Sequence, residues 1–321
     1  MLCIFSNSTD PYFNIASEEH LLRKFDDDIF LLYSNQPSVI VGKHQNTVAE
    51  IDYHYAQNNG IKIVRRLSGG GAVYHDLGNV NFTFIRNGKE GKLVDFKGFT
   101  KPIIELLRTL GIEAKFEGYN SLTINGKKFS GNAEHVFKNR VMHHGTMLFS
   151  SNIETLAKVL YVNTNRYTHK GVQSVRASVT NISKHLNEGM PIEEFKLYTF
   201  DFMLKHFAGS TYTLSKEDLL IITKLAEEKY STWDWNFGYS PSYSFTRKTT
   251  TKKGEVQITA HVDKGVIAIV NIEGDGLSHI EKEQLTNALS GNSHNPLTIK
   301  RIVEETSLNS KDKRSIVDSL L

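Results

Sequence analysis

The run Arg65-Arg66-Leu67-Ser68-Gly69-Gly70-Gly71-Ala72-Val73-Tyr74-His75-Asp76 sets the fold class of this chain. Residues 61–64, just before it, form an apolar run that reads as a buried strand. The chain therefore arrives extended and then passes three positions without side chains. Successive glycines permit positive φ and let backbone N–H groups approach a ligand closely. Such amides can surround a phosphate or carboxylate, and Arg65 and Arg66 add permanent charge and forked donors. The competing reading is a tight glycine turn with two surface arginines. The spacing matches neither Gly-x-x-x-x-Gly-Lys-Ser/Thr nor Gly-x-Gly-x-x-Gly, so the standard phosphate-loop and dinucleotide geometries do not apply. On residues alone this is an anion-binding α/β enzyme.

Outward from that run, residues 14–25 predict a helix with Ile15, Leu21, Leu22 and Phe25 inward and Glu18, Glu19, Arg23 and Lys24 toward water. Residues 29–33 and 39–41 read as strands joined by the turn Ser34-Asn35-Gln36-Pro37-Ser38. Residues 50–59 suit a short helix ended by Gly60. Further strands are expected over 79–85, 121–124 and 142–149, and an amphipathic helix over 100–110 closed at Gly111. Past Trp233 the aromatic stretch 233–241 reads as a packed tether. Residues 243–247, 256–262 and 266–272 then suit an antiparallel meander turning at Asp263-Lys264-Gly265, with helices over 280–289 and 297–305. These patterns predict an α+β protein with a domain over 1–244 and a small α+β domain over 245–321.

Composition excludes several classes. Apolar residues are 39% and charged residues 23% of 321, which suits a folded core rather than disorder. The net charge of +3 gives no electrostatic case for nucleic acid. Cys3 is the sole cysteine, so a disulfide framework or zinc ribbon is impossible within one chain. No secretory leader, lipidation motif or membrane-length apolar segment is expected, and a reducing cytoplasm fits best.

Three further segments carry chemistry. Asn125-Gly126 predicts a hairpin that returns Lys127, Lys128 and Phe129 beside Ser130-Gly131-Asn132-Ala133. Strand alternation lets only one of the two lysines point inward, where it needs an anionic or carbonyl partner; otherwise both face solvent. In Met142-His143-His144-Gly145-Thr146 adjacent histidines diverge, which favours packed or hydrogen-bonded roles over metal binding. In residues 171–181 the Ser, Thr and Asn side chains are candidates to cap a following helix, while Arg176 either reaches a site or braces the fold.

In this order the segments resemble the lipoate–protein ligase family, whose catalytic fold is shared with biotin ligases. The glycine run with Ala-Val-aromatic-His-Asp is its most specific signature. Residues 14–19, Gly42-Lys43-His44-Gln45-Asn46, Lys128-x-Ser130-Gly131-Asn132, His143-His144-Gly145 and Ser174-Val175-Arg176 also match. The resemblance spans essentially the whole chain. It implies a mixed-sheet biotin/lipoate ligase-like catalytic domain with a C-terminal accessory domain that moves once the adenylate forms. It implies ATP-dependent activation of lipoate to lipoyl-AMP, with Mg2+, then transfer to a lysine of a lipoyl carrier domain. Such carriers belong to 2-oxoacid dehydrogenase acyltransferase subunits or to the glycine cleavage H protein.

By the same resemblance Arg66, Gly71, Ala72, Val73, Tyr74 and Lys128 bind ATP and adenylate, and Ser68, Gly69, Gly70, His75 and Lys128 bind lipoate. Lys128 is the catalytic residue, and Val73, Tyr74 and Phe129 wall the acyl tunnel. Arg65 and Asp76 orient groups or brace the scaffold, and the metal ligands are not assigned. The family's Gly-Arg-Asn-Asp is here Gly118-Tyr119-Asn120-Ser121, which removes an acid near the expected nucleotide–metal site. Two alternatives follow: a lipoyltransferase that uses preformed lipoyl-AMP, or a non-catalytic lipoate- or carrier-binding paralogue. Cys3 lies far from every matched motif, which counts against a thioester-forming octanoyltransferase.

Overall fold

The computed structural model describes residues 1–88, 93–161 and 166–321. In chain order its strands begin with β1 (Leu2–Phe5), β2 (Ile29–Tyr33), β3 (Ser38–Val41), β4 (Lys62–Arg65) and β5 (Val73–His75). Next come β6 (Asn79–Asn87), β7 (Ala114–Glu117), β8 (Ser121–Ile124), β9 (Lys127–Phe137) and β10 (Arg140–Leu148). The last are β11 (Tyr167–His169), β12 (Ser210–Thr211), β13 (Tyr243–Thr250), β14 (Glu255–Asp263) and β15 (Val266–Glu273).

Eight strands form one mixed sheet in the order β12-β1-β2-β6-β10-β9-β8-β7. Its centre is buried on both faces, so β2 reads Ile-Phe-Leu-Leu-Tyr without polar alternation. One face packs Phe30, Phe82, Phe84 and Phe149 against helices Phe96–Thr109 and Ile192–His206. The other packs Ile29, Leu31, Ile85 and Met142 against Leu21 and Leu22 of helix Pro11–Lys24. That helix starts three residues before expectation, because Asp10 accepts from the Tyr12 amide and Pro11 occupies its first turn. The expectation that Glu18 and Glu19 face water is overturned. Glu18 is buried against Tyr33, Thr83 and His144, and Glu19 against Arg23, Lys229 and Tyr230.

The strands β2 and β3 are not a hairpin. β3 leaves for a second sheet, ordered β4-β3-β5, so the turn between them carries the chain from one sheet to the other. This small sheet presents the glycine run to the interior of the large one, where Ser68 meets His144 of β10.

The C-terminal sheet β11-β13-β14-β15 lays Phe245, Val256, Ile258 and Val262 on helices His279–Leu289, Pro296–Glu304 and Ser310–Leu320. Its turn at Lys264 and Gly265 has φ +48° and +77°, as a type I′ hairpin requires. Helix Ser310–Leu320 lies outside the sequence expectations, since its apolar stripe is sparse and only Ile316 and Leu320 bury large apolar groups. Among the described residues no helix is long and apolar enough to cross a membrane.

Candidate active site

The glycine run leaves β4 and returns as β5, and Arg66 organises what lies between. Its Nε donates to Ser68 Oγ at 2.9 Å, Nη1 to the Ile40 carbonyl, and Nη2 to the carbonyls of Gly69 and Gly71 at 2.6 and 2.8 Å. Gly70 sits at φ +87°, so the loop curls around the guanidinium. The approach is close enough that Gly42 must also be glycine: a Cβ there would lie 2.0 Å from the Gly70 carbonyl oxygen.

Arg65 turns the opposite way and is a bolt rather than a ligand. Fully buried, it donates to the carbonyls of Gly42, Lys43, Gln45, Trp235 and Asn236 and to the Thr47 and Ser240 hydroxyls. It thereby fixes the 42–47 loop to the aromatic tether. Asp76 likewise braces the backbone, accepting from the Gly78 and Asn152 amides.

Asn125 and Gly126 take φ +50° and +71°, and the hairpin they make returns Lys127 to solvent and Lys128 inward. Burial and the Arg66 charge push the Lys128 ammonium below its usual value. Among the described residues it has neither an ion pair nor a hydrogen bond, so a cation is held ready for an anion. The backbone of Lys128 is clamped by Ser178 and Thr180 of the 171–181 segment. Asn181 does not cap the following turn; its amide is spent on both backbone groups of Ser151.

Two adjoining cavities meet at Lys128. The first, about 310 Å³, is lined by Arg66, Gly70, Gly71, His75, Asn120, Asn132 and His144. The second, about 510 Å³, is lined by Glu50, Tyr74, Phe129, Leu148, Leu156, Tyr161 and Arg176. Ala72, Val73, Lys128 and Ser174 border both. Of the residues expected here, Ser68 and Gly69 line neither cavity, and Ser68 is buried behind the first.

A chain of polar groups stands behind the first cavity. Arg66 Nε–H occupies one Ser68 lone pair, Ser68 lies 2.6 Å from His144 Nε2, and His144 Nδ1 lies 2.9 Å from Glu18. Burial raises the Glu18 pKa, but His144 together with hydrogen bonds from Thr83 and Tyr33 outweighs it and leaves a carboxylate. His75 is fixed from its other side. Asn14 donates to Asn35 Oδ1, which turns the Asn35 NH2 toward His75 Nδ1. The proton of His75 therefore sits on Nε2, a buried atom with no partner among the described residues, at the cavity wall. Burial, Arg66 and His144 push this imidazole down to about 3, so it is neutral.

The sequence puts Glu18 on a water-facing helix side, Asn35 in a turn and Glu50 at a helix start, and marks none of the three as functional. A carboxylate inside an apolar helix face was the available signal for Glu18. His143 and His144 do diverge, to Glu134 and Glu18 respectively, and Cys3 is buried in β1 away from both cavities.

A glycine cradle, an unpaired half-buried ammonium and two cavities converging on it define an α+β enzyme that brings together two ligands, at least one of them anionic. Comparison with known proteins narrows the class. Residues 10–207 match the lipoyl protein ligase A/B catalytic domain, and residues 240–320 the bacterial lipoate protein ligase C-terminus. A lipoate–protein ligase 1 of Staphylococcus aureus is 41% identical over 94% of this chain and 93% of its own. A bipartite lipoate protein ligase of Thermoplasma acidophilum, studied with its E2 lipoyl domain, superposes with TM-score 0.62 at 26% identity. It covers 74% of this chain and 96% of its own. A lipoate-protein ligase A bound with ATP gives TM-score 0.64 at 25% identity, over 74% and 98%. The chain belongs to the lipoate–protein ligase family.

Proposed function

We infer that this chain is an ATP-dependent lipoate–protein ligase. The observation that carries the reading is Lys128, an inward ammonium without a protein counter-ion at the junction of two cavities. The first cavity takes lipoate, with Gly70, His75 and Lys128 at its wall, and Ser68 and Gly69 acting from behind through Arg66. The second takes ATP, with Ala72, Val73 and Tyr74 along the nucleotide, while Gly71 and Arg66, which line the first cavity, meet the phosphates where the two cavities join.

A carboxylate is a poor acyl donor because its leaving group would be oxide. Lys128 holds the lipoate carboxylate against the α-phosphorus, where attack expels pyrophosphate and forms lipoyl-AMP. When a carrier lysine then attacks the mixed anhydride, Lys128 stabilises the negative charge growing on the carbonyl oxygen as AMP leaves.

Magnesium fits a narrow role. Among the described residues no three acidic, histidine or cysteine side chains cluster to hold an ion, and Glu50 is the one carboxylate lining either cavity. An ion carried on the triphosphate, which needs one or two carboxylates at most, matches that donor set and would offset phosphate charge. The acceptor is a lipoyl carrier domain of a 2-oxoacid dehydrogenase acyltransferase or of the glycine cleavage H protein, met in the cytoplasm. Residues 245–321, which carry a separate apolar core, are the unit that moves between the two half-reactions.

The test is incubation with lipoate, ATP and magnesium, with and without an apo carrier domain. Pyrophosphate release, then a lipoyl-sized mass gain on the carrier, is expected. Transfer from supplied lipoyl-AMP without pyrophosphate release from ATP would mark a transferase, and neither event would leave a binding protein.

A further inference from the structure

Beneath the first cavity lies a buried acid–imidazole pair outside the machinery described so far. Glu134 Oε1 is 2.9 Å from His143 Nδ1, and His143 Nε2 is 3.1 Å from Asn132 Oδ1. Both ionisable side chains are nearly inaccessible, at 3% and 0% exposure. The imidazole stacks between the Phe82 and Phe99 rings, with centroids at 6.1 and 5.0 Å.

Hydrogen-bond directions here are forced. Asn132 Nδ2 faces the Asn120 carbonyl at 3.1 Å and Ser130 Oγ at 3.2 Å. A carbonyl only accepts, so the atom facing it is the amide nitrogen, and Oδ1 faces His143. His143 Nε2 must then donate. A neutral ring with its proton on Nε2 has a bare Nδ1, so the contact with Glu134 needs one more proton, on Oε1 or on Nδ1. Without it a carboxylate faces a lone pair, and the ring answers by moving its own proton to Nδ1, which breaks the bond to Asn132.

Asn132 matters because it holds the turn in which this chain departs from its family. Its amide donates to the Asn120 carbonyl, and Asn120 Nδ2 returns a bond to the Asn132 carbonyl at 2.8 Å. Asn120 and Asn132 both line the first cavity, one turn from Lys128. We propose that Glu134 and His143 share one proton whose retention keeps Asn132, and through it the Asn120 wall of the lipoate cavity, in place. Glu134 is thus a positioning residue for the ligation inferred above.

The surroundings favour keeping this proton near neutrality. Burial pushes the Glu134 carboxyl up to about 7, with Asp95 at the head of helix Phe96–Thr109 repelling its charge while the Asp95 backbone offers it a hydrogen bond. Burial, His144 on the same strand and Arg86 on β6 hold His143 well below its usual value. Titration of Glu134 therefore removes the shared proton as the solution turns alkaline.

The experiment compares wild type, Glu134→Gln and Glu134→Leu in ligation kinetics from pH 6.0 to 8.5, with 15N NMR of the His143 ring. A glutamine NH2 donates to Nδ1 at every pH. Glu134→Gln should match wild type at pH 6.0 and stay flat where wild-type kcat/KM falls about tenfold on an alkaline limb. Glu134→Leu should raise KM for lipoate about tenfold at all pH with a smaller change in kcat. The ring should show a proton on Nε2 in wild type at pH 6.0 and in Glu134→Gln throughout. Parallel pH profiles for wild type and Glu134→Gln, or a ring protonated on Nδ1 alone at pH 6.0, would overturn the proposal. If Glu134→Leu does not fold, the glutamine variant and the spectrum still decide. If wild type does not ligate at all, the inferred function falls, and the spectrum alone decides the shared proton.

Discussion

Replacing Gly42 by alanine tests whether the glycine cradle is as tight as its geometry states. The new Cβ would lie 2.0 Å from the Gly70 carbonyl oxygen and 3.3 Å from Arg66 Nη2, whereas such atoms keep about 3 Å or more apart. Gly42 is not in the left-handed region, so the cost is collision and not backbone strain. Relief requires the 69–71 loop to retreat by about 1 Å, which pulls the Gly69 and Gly71 carbonyls off Arg66. Overpacking of this kind costs about 1–3 kcal/mol, a fall of several degrees in Tm at about 2–4 °C per kcal/mol. A 1 Å misplacement of binding groups costs about 100-fold in rate. Gly69→Ala is the matched control, since a Cβ at Gly69 meets nothing within 4 Å. Pyrophosphate release and thermal unfolding should show Gly42→Ala impaired about 100-fold and less stable, with Gly69→Ala unfolding like wild type. Gly42→Ala within threefold of wild type, or equal destabilisation by both substitutions, would refute the reasoning.

Lys128→Met should abolish both half-reactions while leaving Tm equal or higher, because a desolvated ammonium without a counter-ion is removed. A large loss of stability with activity retained contradicts the assignment. Cys3→Ala should ligate within about twofold of wild type, as the thiol is buried in β1 and burial pushes its pKa up; a rate drop with loss of a trapped thioester would restore the cysteine mechanism. Burial holds His75 at about 3, His294 at about 4 and His143 well below its usual value. The unfolded chain therefore binds protons that the folded one refuses, and stability falls as pH drops from about 6.5 toward 4. Glu134, raised to about 7, and Glu50, also pushed up by burial, oppose this, while His135 and His169 are lowered by burial as well. A urea midpoint that does not fall between pH 7 and pH 5 counts against it.

Much of this architecture can be read from local chemistry. Asn125-Gly126 and Lys264-Gly265 give their hairpins away because φ > 0 at both turn positions is tolerated by few residues. Long-range facts are hidden. Nothing near Ser34–Ser38 says that its flanking strands enter different sheets, because strand pairing is decided by partners 24 or more residues away. Helix Ile192–His206 carries Phe195, Leu197, Phe200, Phe202 and Met203 around several faces, so no clean stripe marks it. At the site, the glycine run offers an anion-binding loop from its backbone demands, while Lys128 is singled out from Lys127 only by the family resemblance. The roles of Glu18, Asn35 and Asn132 are not visible, since each acts through a hydrogen bond to a residue far away in sequence.

Glu50 shows how the missing acid at Ser121 is to be weighed. Its Oε2 accepts from both the amide and the hydroxyl of Ser174. The same hydroxyl accepts from Ala72 N–H at 2.9 Å and from Gln45 Nε2 at 3.1 Å. Three segments around both cavities, 45–50, 70–73 and 171–176, are thus pinned at one oxygen, and the carboxylate is spent on the clip. Burial pushes Glu50 up, against the Ser174 bonds, which suits a structural acceptor better than a tight magnesium ligand. A glutamine keeps the acceptor and loses only the charge. Glu50→Gln should retain ligation within about threefold, while Glu50→Ala, which frees the 171–176 strap, should lose about tenfold with an unchanged magnesium requirement. If Glu50→Gln were as impaired as Glu50→Ala and needed more magnesium, Glu50 would be a magnesium carboxylate. The strap would then be held by Gln45, by the Ala72 amide on Ser174 and by the Val172 amide on the His44 carbonyl.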